Sequence, residues 1–490
     1  ADGMFDQIVD AVGDPGFESS GPNMGRIRFS AVTFWTDPSA LPPGDGVAIP
    51  TMADGRVVAR GGAGQNIVGF LDDGVHWIGS SNGGADSGFG SRQIYFEPDS
   101  ITSGASNALV DFNSDHRTAT ALQNLLGAST VRGAQDLIQW GRGSDVDDED
   151  GDGNKTEARS WIFSNVLHSR PLALNYGAVG GYSEGNPNIR LFLGTGDGMF
   201  HIIENTRIDG SESGREVLGF YPREMLANIA TQRINTESSF KMRYGVDGSP
   251  VAFVVDVNND GNLNKPDGDE AYVYFGLRRG GFSYYALDVS DPTLPPTLKW
   301  KISPTTGGDF DGMGLTFSVP VVGKVKYGGH ARDVLIFGGG YNGGWDSNYT
   351  ARVGKDAGDE DDVVGNALFI IDARTGELIW KAVNGSKVAT DNTYYHKDLT
   401  DSIPSSVTAL ENGNGIVDRL YVGDTGGAIW RVDLPEGSTP EHRKNNWYIS
   451  KFAELGTDGL TPDRRFFHPP DVVRTFDDNG NFDGVLISSG

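Results

Sequence analysis

Oxygen donors recur at alternate positions along "DVNNDGNLNKPD", residues 256–267. Counted as a twelve-position loop, Asp256 stands at position 1, Asn258 at 3, Asp260 at 5 and Gly261 at 6, with Asn262, Asn264 and Asp267 at 7, 9 and 12. Calcium takes about six to eight oxygens, and alternate residues of a tight loop turn theirs inward. A glycine at position 6 permits the sharp turn, and Asn262 would contribute its backbone carbonyl. Three carboxylates without a thiolate suit calcium better than zinc or iron. Asp267 is the weakest of the set, because its arm is shorter than that of a glutamate. The flanks "VAFVV" and "AYVYFG" are strand-like, so this would be a calcium loop without flanking helices. The competing reading is a solvated polar turn.

A second acidic run repeats the pattern. Asp148, Asp150, Asp152 and Gly153 fall at positions 1, 3, 5 and 6, followed by Asn154 and Thr156. Position 12 is Arg159, which cannot bind a cation, so Glu157 would have to serve. The competing reading here is a flexible acidic linker.

Other chemistry is scarce. The chain has no cysteine, which removes disulfides, thiolate metal sites and cysteine nucleophiles. None of the eight histidines forms a His-Glu-x-x-His pair. There is no Gly-x-Ser-x-Gly elbow and no Walker loop. "GGAGQNIVG" is glycine-rich but lacks both a preceding strand and a Lys-Ser/Thr pair. A net charge of −26 argues against nucleic acid as a partner, since phosphates need a basic face. No apolar run approaches the ~20 residues of a membrane span. The start, "ADGMFDQIVDAVGDPGF", lacks the basic and apolar regions of a secretion signal. Together with an end on the apolar run "GVLISSG", it reads as a cut in a longer chain. We therefore expect no catalytic residue and no enzyme.

The loops need a scaffold, and the chain supplies one by repetition. From residue 165 a proline opens an apolar strand in "HSRPLALNYG", "DGSPVAFVVDV", "FSVPVVGKV", "SIPSSVTAL" and "HPPDVVRTF". Those prolines, at 171, 250, 320, 404 and 470, are 79, 70, 84 and 66 residues apart. Each unit continues into a second strand that runs into glycines, as in "IRLFLGTGDGMFHII" and "DRLYVGDTGGAIWRVDL". Most units add a strand ending in an acid, as in "FSYYALDV". Ordered motifs at variable spacing mean repeated units with loop insertions. Strand, glycine turn, strand, acidic turn, strand is the unit of a β-propeller blade. Four complete units and the opening of a fifth are visible. The fold class is all-β, with Gly at 70 of 490 residues supplying the turns.

The calcium-loop stretch lies between the first and second strands of its unit. Units four and five keep an Asn-Gly-Asn core there, in "ENGNGIVD" and "DDNGNFDG", without the alternating carboxylates. They read as the same hairpin with fewer ligands. Three regions result: an irregular N-terminal region over 1–130 with short helices, an acidic calcium-loop segment over 131–164, and a propeller over 165–490. Helical spacing marks 106–126 and 134–140.

With these residues assembled, the chain resembles the C-terminal propeller domain of the PilY/PilC family, the tip-associated adhesins of type IV pili. The resemblance rests on residues 144–177, 248–289 and 418–434, above all on "HSRPLALNYG". It implies a modified seven-bladed propeller at the bacterial cell surface, pilus tip or outer membrane. It implies work with minor pilins in pilus biogenesis, and attachment to a host or abiotic receptor. It also implies a calcium loop that controls extension against retraction, a role falling on Asp256, Asn258, Asp260, Asn262 and Asn264. Twitching motility and virulence belong to the same picture. Some members carry an Arg-Gly-Asp tripeptide, which is missing here, so integrin binding is in doubt. The residues leave open whether calcium switches the protein or only staples a hairpin.

Two other readings stay in view. "YVGDTGGAIWRVDL" and "ALFIIDARTGELIW" are similar to blades of quinoprotein dehydrogenases. The acidic, aromatic insertion "YNGGWDSNYTARVGKDAGDEDD" (341–362) could meet a glycan.

Overall fold

In the computed structural model the described residues are chiefly 92–149, 162–235, 243–343, 361–436, 446–456, 464–478 and 480–489, with Gly153, Lys155 and short pieces before residue 92. Apolar residues at alternate positions and glycine-bearing turns build consecutive antiparallel sheets. The first blade takes Leu172–Asn175, Ile189–Gly194, Phe200–Glu204 and Glu216–Tyr221 in chain order. The second takes Val251–Val255, Glu270–Gly276, Tyr284–Asp288 and Thr297–Ile302. The third takes Val321–Tyr327, His330–Gly338, Ala367–Asp372 and Leu378–Asn384, with Thr393–His396 added in parallel. The fourth takes Thr408–Glu411, Val417–Gly423, Ala428–Asp433 and Tyr448–Glu454. The hairpin Asp471–Asp477 with Gly480–Leu486 opens a fifth.

The sequence pattern explains this order. Pro171, Pro250, Pro320 and Pro470 each stand one residue before a blade's first strand. A first position needs no ladder donor, so proline is tolerated there. Blades pack face to face through aromatics. Phe200 of the first blade stacks on Phe275 of the second at 4.0 Å. Tyr274 and Trp300 of the second both donate to the Ala373 carbonyl just beyond the third blade's Ala367–Asp372 strand, at 2.9 and 3.1 Å. Trp380 of the third meets Trp447, at the entry to the last strand of the fourth, edge-on at 6.2 Å. Trp300, Trp380, Trp430 and Trp447 are fully buried, as expected for side chains filling the seams between blades.

The segment before residue 130 contributes strands as well as helices. Ile94–Phe96 pairs in parallel with Glu216–Tyr221 and antiparallel with Val110–Asp111, which extends the first blade. Asn107–Ala108 pairs with Thr297–Leu298 on the outer edge of the second. The helical spacing over 106–126 is therefore corrected: its first third is extended, and helix is confined to a short 3-10 turn over Ser114–Thr118 and an α-helix over Thr120–Leu126. The Asn107 amide explains the change, because it donates to the Leu298 carbonyl at 2.8 Å and ties the chain to the second blade. The helix expected over 134–140 runs from Val131 to Arg142. Thr130 Oγ1 accepts from the Gly133 N–H at 3.0 Å to start it. No helix among the described residues is long and apolar enough to cross a membrane.

Candidate metal centre

The loop joining Val251–Val255 to Glu270–Gly276 folds on its own side chains. Asp256 Oδ2 accepts from the Gly261 N–H at 2.9 Å. Asn258 Oδ1 accepts from the Asp260 N–H at 3.1 Å, and Asp260 Oδ1 from the Asn262 N–H at 2.7 Å. Positions 1, 3 and 5 thus each accept from a backbone N–H of the loop, and Gly261 takes φ +80° to let the chain reverse. One atom stands out. Asp256 Oδ1 is buried and has no hydrogen-bond partner. Buried polar atoms are normally satisfied, and an exception needs an explanation such as an ion.

The later positions divide. The Asn262 side chain faces away, its Oδ1 accepting from the Ala178 N–H of the first blade at 2.7 Å. Only its backbone carbonyl is left for a ligand role, as its place at position 7 requires. The Asn264 amide donates to Asp267 Oδ2 at 2.8 Å. Among the described residues no group of three or more His, Asp or Glu side chains is arranged to hold one metal. Asp256, Asp260 and Asp267 therefore do not converge as three carboxylates. The side-chain oxygens bonded within the loop belong to Asp256, Asn258 and Asp260, a mixed carboxylate and amide set.

Sequence reasoning missed Asp269, which is 3% exposed. Its Oδ1 accepts from the Val257 N–H at 2.8 Å and its Oδ2 from the Asn264 N–H at 2.9 Å. One carboxylate thus staples both ends of the loop. The available signal was slight: "DGDE" carries an acid beyond the twelve-position frame.

The loop also rests on the first blade. The Leu263 N–H donates to the Tyr176 carbonyl at 3.0 Å. A Cβ at Gly177 would sit 2.5 Å from Asn262 Oδ1 and 2.6 Å from the Gly261 carbonyl. The end of "HSRPLALNYG" is therefore the seat of the loop, and the loop clasps the seam between blades one and two.

The earlier acidic run is described in part. Asp148 takes φ +57°, and its Oδ1 accepts from the Gly153 N–H at 3.0 Å. This is the position 1 to position 6 bond that Asp256 makes to Gly261. Asp150, Asp152, Asn154, Thr156 and Glu157 lie outside the described residues, as do residues 344–360 of the long insertion. In the fourth blade's hairpin Asn412 Oδ1 accepts from the Asn414 N–H at 2.8 Å and closes the turn without a carboxylate.

One buried constellation invites a catalytic reading. Thr195 Oγ1 lies 2.9 Å from His201 Nε2, and His201 Nδ1 lies 2.8 Å from Glu216 Oε1. Thr195 and His201 are 1% and 0% exposed, so no substrate reaches them. Glu216 also receives Arg92 Nη2 at 2.9 Å. Burial pushes the Glu216 carboxyl up, but Arg92 and His201 outweigh it and hold the group well below the usual carboxylate range. Arg92 further donates to the Arg142 carbonyl at 2.6 Å. The network ties the Val131–Arg142 helix to the first blade and is structural.

The four blades and the loop between the first two strands of the second lie in one continuous stretch of chain. The family profile described as "PilY1 beta-propeller domain" matches residues 171–452. The chain belongs to the PilY1 β-propeller family. A type IV pilus biogenesis factor PilY1 of Pseudomonas aeruginosa (strain PAK) is 26% identical over 319 residues, covering 62% of this chain and 23% of the relative. A PilY1 homolog of Xylella fastidiosa is 25% identical over 344 residues, covering 65% of this chain and 24% of the relative. The chain thus spans about a quarter of the length of these curated relatives. Among solved structures, the Pseudomonas aeruginosa PilY1 C-terminal domain matches with a TM-score of 0.39 at 20% identity, covering 64% of this chain and 55% of that one. A quinohemoprotein alcohol dehydrogenase from Comamonas testosteroni matches with a TM-score of 0.27 at 11% identity, covering 62% and 37%.

Proposed function

We propose that this PilY1-family propeller is the calcium-binding part of a type IV pilus biogenesis factor and tip adhesin, exported to the bacterial surface. The relatives' printed role, type IV pilus biogenesis, supports the pilus part of the reading. The calcium part rests on one observation above all: Asp256 Oδ1 is buried without a partner, in a loop where Asp256, Asn258 and Asp260 carry its other side-chain oxygens. Asp256, Asn258, Asp260 and the Asn262 carbonyl would hold the ion, with Asn264 beside them and Asp269 bracing the frame. A second ion would sit in the Asp148 loop.

Calcium supplies charge neutralisation to a loop whose carboxylates otherwise repel. The chain's own residues supply the coupling. Asn262 and Leu263 lie on Ala178 and Tyr176, so ordering the loop also fixes the seam between two blades. An ion that binds only the ordered loop shifts the population toward that locked seam. Through this seam calcium would set a surface for minor pilins and favour pilus extension over retraction. The same surface state would serve attachment to a host or abiotic receptor. The protein acts as a binding scaffold and not as an enzyme.

The test is calcium titration of the chain with pull-down of minor pilins. Asp260→Ala is expected to lose calcium at this loop and the calcium-dependent capture, with the thermal transition of the propeller retained. Global unfolding of Asp260→Ala would leave a folding staple and remove the switch. Unchanged calcium binding would remove the site.

A further inference from the structure

Four blades send their approach segments to one place. Asp247, just before the second blade, is 5% exposed. Its carboxylate takes His168 Nδ1 of the first blade's approach at 2.8 Å and Arg278 Nη1 at 3.2 Å. The Arg278 guanidinium lies 4.4 Å over the ring of Phe317, which leads into the third blade. Arg279 lies 5.7 Å over the same ring and 5.3 Å over Tyr244. Phe317 meets Tyr341 at 5.2 Å and Phe467, on the approach to the fifth blade, at 6.2 Å. Tyr341 and Phe467 meet at 5.2 Å.

Packing alone leaves two features of this cluster without a reason. Arg278 takes φ +49°, a left-handed conformation that is strained for a side chain of this size. It is held there because the Leu277 and Arg278 N–H groups both donate to Thr316 Oγ1, at 2.8 and 3.1 Å. Such strain concentrates where a side chain must be aimed. The second feature is charge. Asp247 serves two basic groups, while Arg279 is exposed and has no carboxylate partner among the described residues. In a chain of net charge −26 this is a local cationic surplus.

A guanidinium stacked on a ring keeps its in-plane N–H fork for a carboxylate. Rings beside it offer apolar contact, and Arg with Tyr and Phe is the composition of interface hot spots. A long polyanion such as nucleic acid is opposed by the net charge of the whole molecule. A short acidic segment meets mainly the local patch, because distant charges are screened beyond roughly 8–10 Å. We propose that the Arg278–Arg279–Tyr341–Phe467 cluster, backed by the buried ring of Phe317, is the docking surface for a partner peptide that interleaves carboxylates with aromatic side chains. The carboxylates pair with Arg279 and Arg278, and the aromatics pack on the half-buried Tyr341 and Phe467. The inference depends neither on calcium nor on the pilus reading.

The experiment uses the whole chain and a fluorescein-labelled Glu-Phe-Glu-Phe-Glu-Phe peptide, read by anisotropy. A Lys-Phe peptide of equal length and a short oligothymidylate are the comparison arms. The Glu-Phe peptide is expected to bind, and to weaken as salt rises. Arg279→Glu is expected to weaken it at least tenfold, roughly the loss of one charge-assisted contact. Arg279 is exposed, so the thermal transition should not move. Phe467→Ala should weaken the Glu-Phe peptide more than a Glu-Ser peptide. Equal or tighter binding of the Lys-Phe peptide or the oligothymidylate would overturn the proposal. So would absence of Glu-Phe binding, or binding indifferent to Arg279→Glu.

Discussion

Replacing Asp269 by alanine tests whether the loop is pre-shaped by its frame. The substitution strips the acceptor from two N–H groups, those of Val257 and Asn264, now bonded at 2.8 and 2.9 Å. An orphaned buried donor costs about 1–3 kcal/mol. Val257 is exposed and Asn264 half-buried, so water repays part of the cost, and about 2–3 kcal/mol is expected for the pair. At about 1.4 kcal/mol per tenfold, the closed loop loses roughly 30- to 150-fold in population relative to open forms. Where only the closed loop binds calcium, apparent affinity falls by a comparable factor. Asp269→Asn keeps one acceptor and should lose about half of that free energy. Amide hydrogen exchange reads the loop directly at Val257 and Asn264, and calorimetry reads the affinity. Wild-type exchange at both amides in Asp269→Ala, with wild-type calcium affinity, would refute the stapling argument.

Other outcomes follow from neighbouring geometry. Gly177→Ala places a Cβ against Asn262 Oδ1 and the Gly261 carbonyl at φ +71°, and should cost about 1–3 kcal/mol, seen as a lower thermal midpoint and faster exchange at Ala178 and Leu263. Asp424 is buried, and burial first and Asp401 second push its carboxyl up to about 7 against the Trp430 and Ala428 N–H donors. A raised carboxylate means the native state holds the proton longer, so this group's contribution falls as pH rises from about 4 to 7, by on the order of 4 kcal/mol in total. Denaturant unfolding across that window should show a decline in the wild type that Asp424→Asn lacks, and parallel profiles would sink the assignment. Arg92→Met leaves Glu216 charged and buried, and should cost about 3–5 kcal/mol in urea unfolding, part of it recovered by adding Glu216→Gln.

The propeller was legible because its punctuation is local. A proline at a strand's first position and glycines at its hairpin act through backbone conformation, which one sequence displays. The alternating oxygens of 256–260 were legible for the same reason, since each bonds a neighbour two or five residues away. What stayed hidden is what acts at a distance or outside a frame. Ile94–Phe96 is three residues long and has no period of its own, and only its partner Glu216–Tyr221 makes it a strand. Asp269 bonds backbone, and nothing in its residue type separates that from a ligand. Asp267 was placed by counting to twelve, but its carboxylate is taken up by the Asn264 amide. The convergence of Arg278 with Phe317 and Phe467 depends on blades closing together, which no spacing encodes.

The strands between residues 94 and 111 carry a consequence for the order of events in the cell. Asn107 reaches its partner Leu298 across 191 residues of chain. At about 5–20 residues per second, a ribosome needs roughly 10–40 seconds to supply that partner after Asn107 has emerged. For that interval the strand Asn107–Ala108 waits with unpaired backbone, the condition that invites wrong pairing. Completion of the outer edge of the second blade is thus a late checkpoint, passed only after the chain has been made through its fourth strand.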